Sequence, residues 1–214
     1  MEYLTSSWLD LLNALVEHTI ITAAAITLAT LFAIPLAVLA VKSRWLVTPT
    51  LVFGALIYTI PSLALITGLW PVFGLSETTV IVALALYALM IILRNTIVGL
   101  QDVPAHVTKA ALGMGYSEVA LLVRVGIPMA LPAIMVGIRL ATVSTVGMVM
   151  VGALVGHGGL GQIVLNGFTN NFYRAPILAG TLLAVLLGLL LEWLLVLLER
   201  RLSPWAKSAR KATT

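Results

Sequence analysis

Residues Gly156-His157-Gly158-Gly159-Leu160-Gly161 spell G-x-G-x-x-G. In a strand–turn–helix unit that spacing lets glycine backbone approach a pyrophosphate at a helix N-terminus. The same chemistry needs a strand leading in and an acid about 20 residues on for the ribose. No Asp or Glu lies between Glu118 and Glu192, so a dinucleotide has nothing to hold its sugar. A phosphate-binding loop of the form G-x-x-x-x-G-K-[ST] is also absent from the sequence. Zero cysteine excludes a disulfide framework and thiolate metal sites. His157 could titrate near neutral pH, but a lone loop histidine reads as a solvated one.

The elements that must carry these residues are set by composition. With 61% hydrophobic and 9% charged residues over 214 positions, and a mean hydropathy of +1.11, the chain has too little polar surface to cover a globule in water. It is an all-α integral membrane protein. Five apolar stretches, roughly 19–41, 46–70, 78–100, 131–154 and 176–198, reach the length of about 20 residues that a helix needs to cross a bilayer. Strands of a barrel would alternate instead. Ahead of the first span, residues 1–18 carry Glu2, Asp10 and Glu17 without a basic run, unlike a cleaved signal peptide. Trp8, Leu9, Leu11, Leu12 and Leu15 make that segment read as a short external interfacial helix. The spans, over 19–200, form one transmembrane domain, and 201–214 form a basic tail.

Charge orients the spans. Lys42, Arg44, Arg94, Lys109, Arg124, Arg200, Arg201, Lys207, Arg210 and Lys211 fall on one side if the spans alternate. The other side receives Glu2, Asp10, Glu17 and Glu77, with Arg174 as its one base. The positive-inside rule therefore puts the N-terminus outside and the C-terminus in the cytoplasm. The pI near 9.7 thus reflects orientation in a membrane, not nucleic-acid binding. Gly156, Gly158, Gly159 and Gly161 then follow the fourth span on the outer face, where they read as a tight glycine turn.

The longest connection, about 101–130, is cytoplasmic. Asp102 and Pro104 are helix-start signals, and the helix should run through Ala105 to Leu112 and break at Gly113 and Gly115. Ser117 and Glu118 start a second short helix with Val119, Leu122 and Val123 on an apolar face opposite Arg124. Pro128 and Pro132 mark the return into the membrane. Such an elbow is either something a partner grips or a re-entrant packing element.

Within the membrane, Pro61 interrupts the second span, where Gly54, Ser62 and Gly68 keep the helix slim. Tyr58, Pro61 and Ser62 are candidates to line a pathway, with packing as the alternative. Ala141, Thr142, Ser144, Thr145 and Gly147 offer the same choice in the fourth span, and packing is preferred there. Arg139 lies inside the fourth span, where an ionised side chain costs about 2.5–3.5 kcal/mol unless it pairs or snorkels. It is expected to point toward cytoplasmic-side carbonyls or the 101–130 segment, because a fixed cation in a pathway would repel a cationic solute.

Lys109-Ala110-Ala111-Leu112-Gly113-Met114-Gly115, nine further residues, then Val125-Gly126-Ile127-Pro128 resembles the E-A-A-x-x-x-G-x9-I-x-L-P loop of ATP-binding-cassette importer permeases. Ile60-Pro61-Ser62-Leu63-Ala64, Leu93-Arg94-Asn95-Thr96, the run from Leu131 to Arg139 and the glycines of 156–161 are similar to permeases of osmoprotectant importers for glycine betaine, choline and carnitine. The resemblance covers about residues 10–200 and implies the type I importer permease fold. It implies that Lys109, Ala110, Ala111, Gly113, Gly115, Ile127 and Pro128 belong to a coupling element docking on a cytoplasmic ATPase. That separate subunit would bind ATP–Mg, and this chain would hold no cofactor. A second permease copy or paralogue and an extracytoplasmic solute-binding protein would complete the assembly among membrane lipids of the bacterial inner membrane. Three positions depart from the pattern: Lys109 stands where the motif has Glu, which reverses the charge, and Val125 with Ile127 replace Ile and Leu, which conserves shape. The competing readings are an ion-gradient-driven carrier and a non-transporting assembly subunit. Membrane-embedded acids, which such a carrier uses as proton relays, are nearly absent.

Overall fold

The computed structural model describes residues 6–205, and every regular element among them is helical. Helix α1 runs Trp8–Lys42, α2 Arg44–Thr59, α3 Ser62–Phe73, α4 Glu77–Gln101 and α5 Ala105–Gly113. After α6, Glu118–Leu121, a π turn at Leu122–Gly126 leads into α7, Ile127–Val149, which ends in a 3₁₀ turn at Met150–Val155. Helices α8, Leu160–Thr169, and α9, Arg174–Leu202, complete the chain.

Small residues set the core. Ala25, Ala29, Ala33 and Ala37 recur every fourth position on α1 and are fully buried. That spacing puts one stripe of methyl groups against α4, which contributes Val80, Leu84, Ala88 and Ile92 to the same core. Between α4 and α7 the backbones close further: a Cβ on Gly99 would stand 2.7 Å from Ala133 Cβ, and one on Gly137 2.7 Å from Asn95 Cβ. Helix association in lipid depends on such close packing. Ala141, Thr142 and Thr145 are buried in that packing, as the preferred reading of the fourth span had them, while Ser144 is half-buried and Gly147 exposed.

Four long helices are apolar enough to span a membrane, and a fifth span exists if the bent pair α2–α3 is counted as one. That bend corrects the expectation of one slim span over 46–70. The two halves meet at 96°. Pro61 has no N–H and forces Ile60 out of the helical region, so both residues are extended, with ψ of 130° at Ile60 and 136° at Pro61.

Three further differences have plain causes. Among the described residues no separate interfacial helix precedes the first span: Trp8–Lys42 is one 35-residue helix that carries Pro35 inside it. Its length of about 52 Å exceeds the roughly 30 Å apolar layer, so it must tilt or extend beyond that layer. The second elbow helix does start at Ser117 and Glu118 as expected, but it does not end before the membrane. Glu118 to Val155 is one continuous 38-residue run, in which the Ile127 N–H bonds back to Leu122 O across the π turn and Pro128 and Pro132 ride inside. Finally, the outer segment after the fourth span contains the ten-residue α8, unforeseen because its run of Leu160, Ile163, Val164 and Leu165 is too short to declare itself. Residues 1–5 of the leading segment and 206–214 of the basic tail lie outside the described residues.

Candidate coupling and translocation sites

The elbow is built by a glycine C-cap. α5 ends with Gly113, Met114 caps it, and Gly115 takes φ +85°. The Tyr116 N–H then bonds Ala111 O at 3.2 Å and the Gly115 N–H bonds Leu112 O at 2.9 Å, the paired arrangement of a Schellman stop. Gly115 is thus the glycine that the turn requires, and Gly113 remains helical. Ser117 restarts the chain, its Oγ accepting from the Ala120 N–H at 3.3 Å.

Of the coupling residues, Ala111 is buried, Ile127 and Pro128 are half-buried, and Lys109, Ala110, Gly113 and Gly115 are exposed. Around them Leu112, Met114, Val119 and Val123 expose apolar side chains, Met114 to 71%. The expected face of Val119, Leu122 and Val123 is therefore divided, with Leu122 turned partly inward beside the exposed Arg124. Behind the elbow, a groove lined by Val41, Lys42, Leu100, Glu118 and Leu122 seats it against the ends of α1 and α4.

Arg139 does not point to carbonyls or to the elbow, which corrects the sequence expectation. Its Nε donates to Glu192 Oε1 at 2.9 Å, its Nη2 donates to the same oxygen, and its Nη1 donates to Glu199 Oε2 at 2.8 Å. The reason lies in α9: positions 192 and 199 are seven apart, two turns, so both carboxylates share one face and bracket the guanidinium. The group carries one net negative charge, so no uncompensated cation remains in that part of the bundle. An apolar groove of about 570 Å³ between α7 and α9 ends on Arg139 and Glu192. The seven-residue spacing of Glu192 and Glu199 was the signal available in the sequence for this pairing.

Tyr58, Pro61 and Ser62 sit together at the α2–α3 break. Tyr58 meets Tyr87 of α4 edge to face, ring centres 5.7 Å apart, and the Tyr87 hydroxyl donates to Ile60 O at the break itself.

The outer glycines do make a tight turn, and it is pinned. Gly156 has φ +87° and Gly159 +50°. A Cβ on Gly158 would stand 2.2 Å from Ala153 N, and one on Gly161 2.5 Å from Met150 O. The Gly159 N–H donates to Glu17 Oε1 at 3.3 Å, and the fully buried His18 donates through Nε2 to Val146 O at 3.0 Å. Two consecutive residues of α1, Glu17 and His18, thus lock the turn, while His157 is half-buried rather than fully solvated.

A family model described as "Binding-protein-dependent transport system inner membrane component" matches residues 25–204. The chain is 39% identical over 193 residues to the osmoprotectant import permease protein OsmW of Salmonella typhimurium, covering 88% of this chain and 89% of that one. It is 35% identical over 198 residues to the carnitine transport permease protein OpuCD of Listeria monocytogenes, covering 92% and 88%. With the glycine betaine/carnitine/choline transport system permease protein OpuCD of Bacillus subtilis it shares 35% identity over 191 residues, 89% and 83%. Its fold is similar to a chain of the inward-facing MetNI methionine ABC transporter, with a TM-score of 0.83 at 21% identity and coverage of 92% and 98%.

Proposed function

The chain belongs to the family of binding-protein-dependent transport system inner membrane components, and from that premise we propose how it works and what it moves. It is a multi-pass inner-membrane permease subunit with the type I importer permease fold. The solute is a small quaternary ammonium compound of the glycine betaine, choline and carnitine class, a reading supported by the names of the relatives above.

The observation that carries the mechanism is the capped elbow with its exposed apolar side chains at Leu112, Met114, Val119 and Val123. Such a cluster on a polar connection fits a partner's groove. The partner is a separate ATPase that binds ATP–Mg, and this chain hydrolyses nothing. Because the elbow's second limb, from Glu118, runs without interruption into α7 and Arg139 ties α7 to α9, a displacement of the docked elbow moves two spans together. Alternating access follows when two such permeases, identical or paralogous, rock about a shared pathway. An extracytoplasmic solute-binding protein delivers the solute to the outer face, near the pinned turn.

The carrier reading is disfavoured by the same geometry, since Glu192 and Glu199 are both engaged by Arg139. Vesicles containing this permease with its ATPase and binding protein test the proposal. Radiolabelled glycine betaine should accumulate only with ATP on the ATPase side and binding protein on the other. Accumulation driven by an ion gradient without ATP would overturn it.

A further inference from the structure

We propose that the α2–α3 break is a transient binding site for the quaternary ammonium group of the solute, with the ring of Tyr58 as the cation-binding face and Tyr87 as a positioning residue. The inference rests on the importer reading and names what the pathway offers that solute.

Main chain at the break is the first reason. Ile60 and Pro61 are extended, so the last carbonyls of α2 and the first N–H groups of α3 lose their helical partners. Broken backbone at membrane depth is tolerated where protein buries it or a water-filled cavity meets it, not against acyl chains. Tyr58, Ile60 and Pro61 are all exposed in the isolated chain. Lipid cannot satisfy this backbone, so in the membrane either a water-filled pathway or a partner's surface meets these residues.

The aromatic pair is the second reason. Gly54 lets α2 press on α4, since a Cβ there would stand 1.6 Å from Met90 Sδ. One turn further on the same face comes Tyr58, and one turn earlier on α4 comes Tyr87, so close approach at Gly54 brings the two rings together. Tyr87 is buried and fixed at both ends, by its ring against Tyr58 and its hydroxyl on Ile60 O. Tyr58 is held by that contact yet remains 44% exposed. An immobilised ring with an open side sits beside an unwound carbonyl.

Chemistry selects the ligand. A quaternary ammonium has no N–H to donate, so carbonyl and hydroxyl ladders recognise it poorly, whereas an aromatic face attracts it through the ring quadrupole. No Asp or Glu occurs from 18 to 76, so neither half-helix would trap the cation by full charge pairing. Passage requires a site good enough to enter and weak enough to leave.

The test replaces Tyr58 with Phe, Leu, and Phe analogues carrying one to three ring fluorines, in the full complex reconstituted with ATPase and binding protein. Uptake of radiolabelled glycine betaine is measured at saturating loaded binding protein, whose own solute affinity is checked separately. Tyr58→Phe should stay within about twofold of the native rate, and Tyr58→Leu should lose on the order of tenfold. The fluorinated series should fall stepwise, because fluorine drains the ring face at nearly constant size. Tyr87→Phe should lower uptake while the fluorine dependence at position 58 persists. A flat fluorine series, or native uptake from Tyr58→Leu, overturns the proposal, including the case in which Leu is inactive for packing reasons. Absence of ATP-dependent uptake by the native complex would instead mark failure of the importer reading itself.

Discussion

Arg139 of α7 holds a single oxygen of Glu192 in α9 with two guanidinium nitrogens, Nε at 2.9 Å and Nη2 on the same side. The bond joins the span that continues from the elbow to the span that ends the bundle. It turns the most costly residue of the membrane region into a link between two spans.

Removing the guanidinium therefore does more than ease insertion. Arg139→Leu should lower thermal stability and uptake, because it leaves Glu192 and Glu199 as two unpaired carboxylates on one face of α9. Arg139→Leu with Glu192→Leu should recover part of the stability, with a coupling of about 1–3 kcal/mol in a double-mutant cycle. Additive losses, measured by thermal unfolding in detergent, would mean that the contact is idle.

At the outer turn, backbone stands where a side chain would go. Gly161→Ala should destabilise by about 1–3 kcal/mol, since Met150 O cannot yield as a flexible side chain would. Gly68→Ala, with nothing within 4 Å of its Cβ, is the control and should be neutral or stabilising. Equal melting temperatures for the two variants would contradict the pinned turn.

Orientation follows from the uneven distribution of Lys and Arg. A reporter active only outside the cytoplasm should work when inserted near Gly158 and fail when fused after Thr214. The opposite pattern would place the elbow on the wrong face for an ATPase.

Spans and elbow were legible in the sequence because each rests on a local rule. Apolar runs have the length of a bilayer, and Gly115 is a glycine C-cap whose φ only glycine adopts cheaply. What stayed hidden was set by tertiary contact. The partners of Arg139 lie 53 and 60 residues away. His18 and Glu17 gain their meaning only when α1 meets the outer turn. Pro61 announced a disturbance, but the size of the 96° bend depends on where α4 receives both halves, through Gly54 at one and Tyr87 at the break. The π turn before α7 was equally invisible, since Pro128 reads as a helix start whether or not a helix already precedes it.

The elbow's grip on a separate ATPase is the claim on which the mechanism stands, and recovery of that ATPase with variant permeases measures it most directly. Gly115→Asp meets the cost of positive φ, about 1–2 kcal/mol, and puts a charge on the exposed apolar surface. Gly113→Ala keeps helical φ and meets nothing within 4 Å. Lys109→Glu, restoring the motif's acid, reports whether the ATPase groove is matched to a lysine. All three variants should insert normally, because no spanning segment is altered. Gly113→Ala should retain the ATPase and ATP-driven uptake, while Gly115→Asp should lose both. Full ATPase recovery and native uptake from Gly115→Asp would contradict the account, for the 109–128 segment would then not be the docking element.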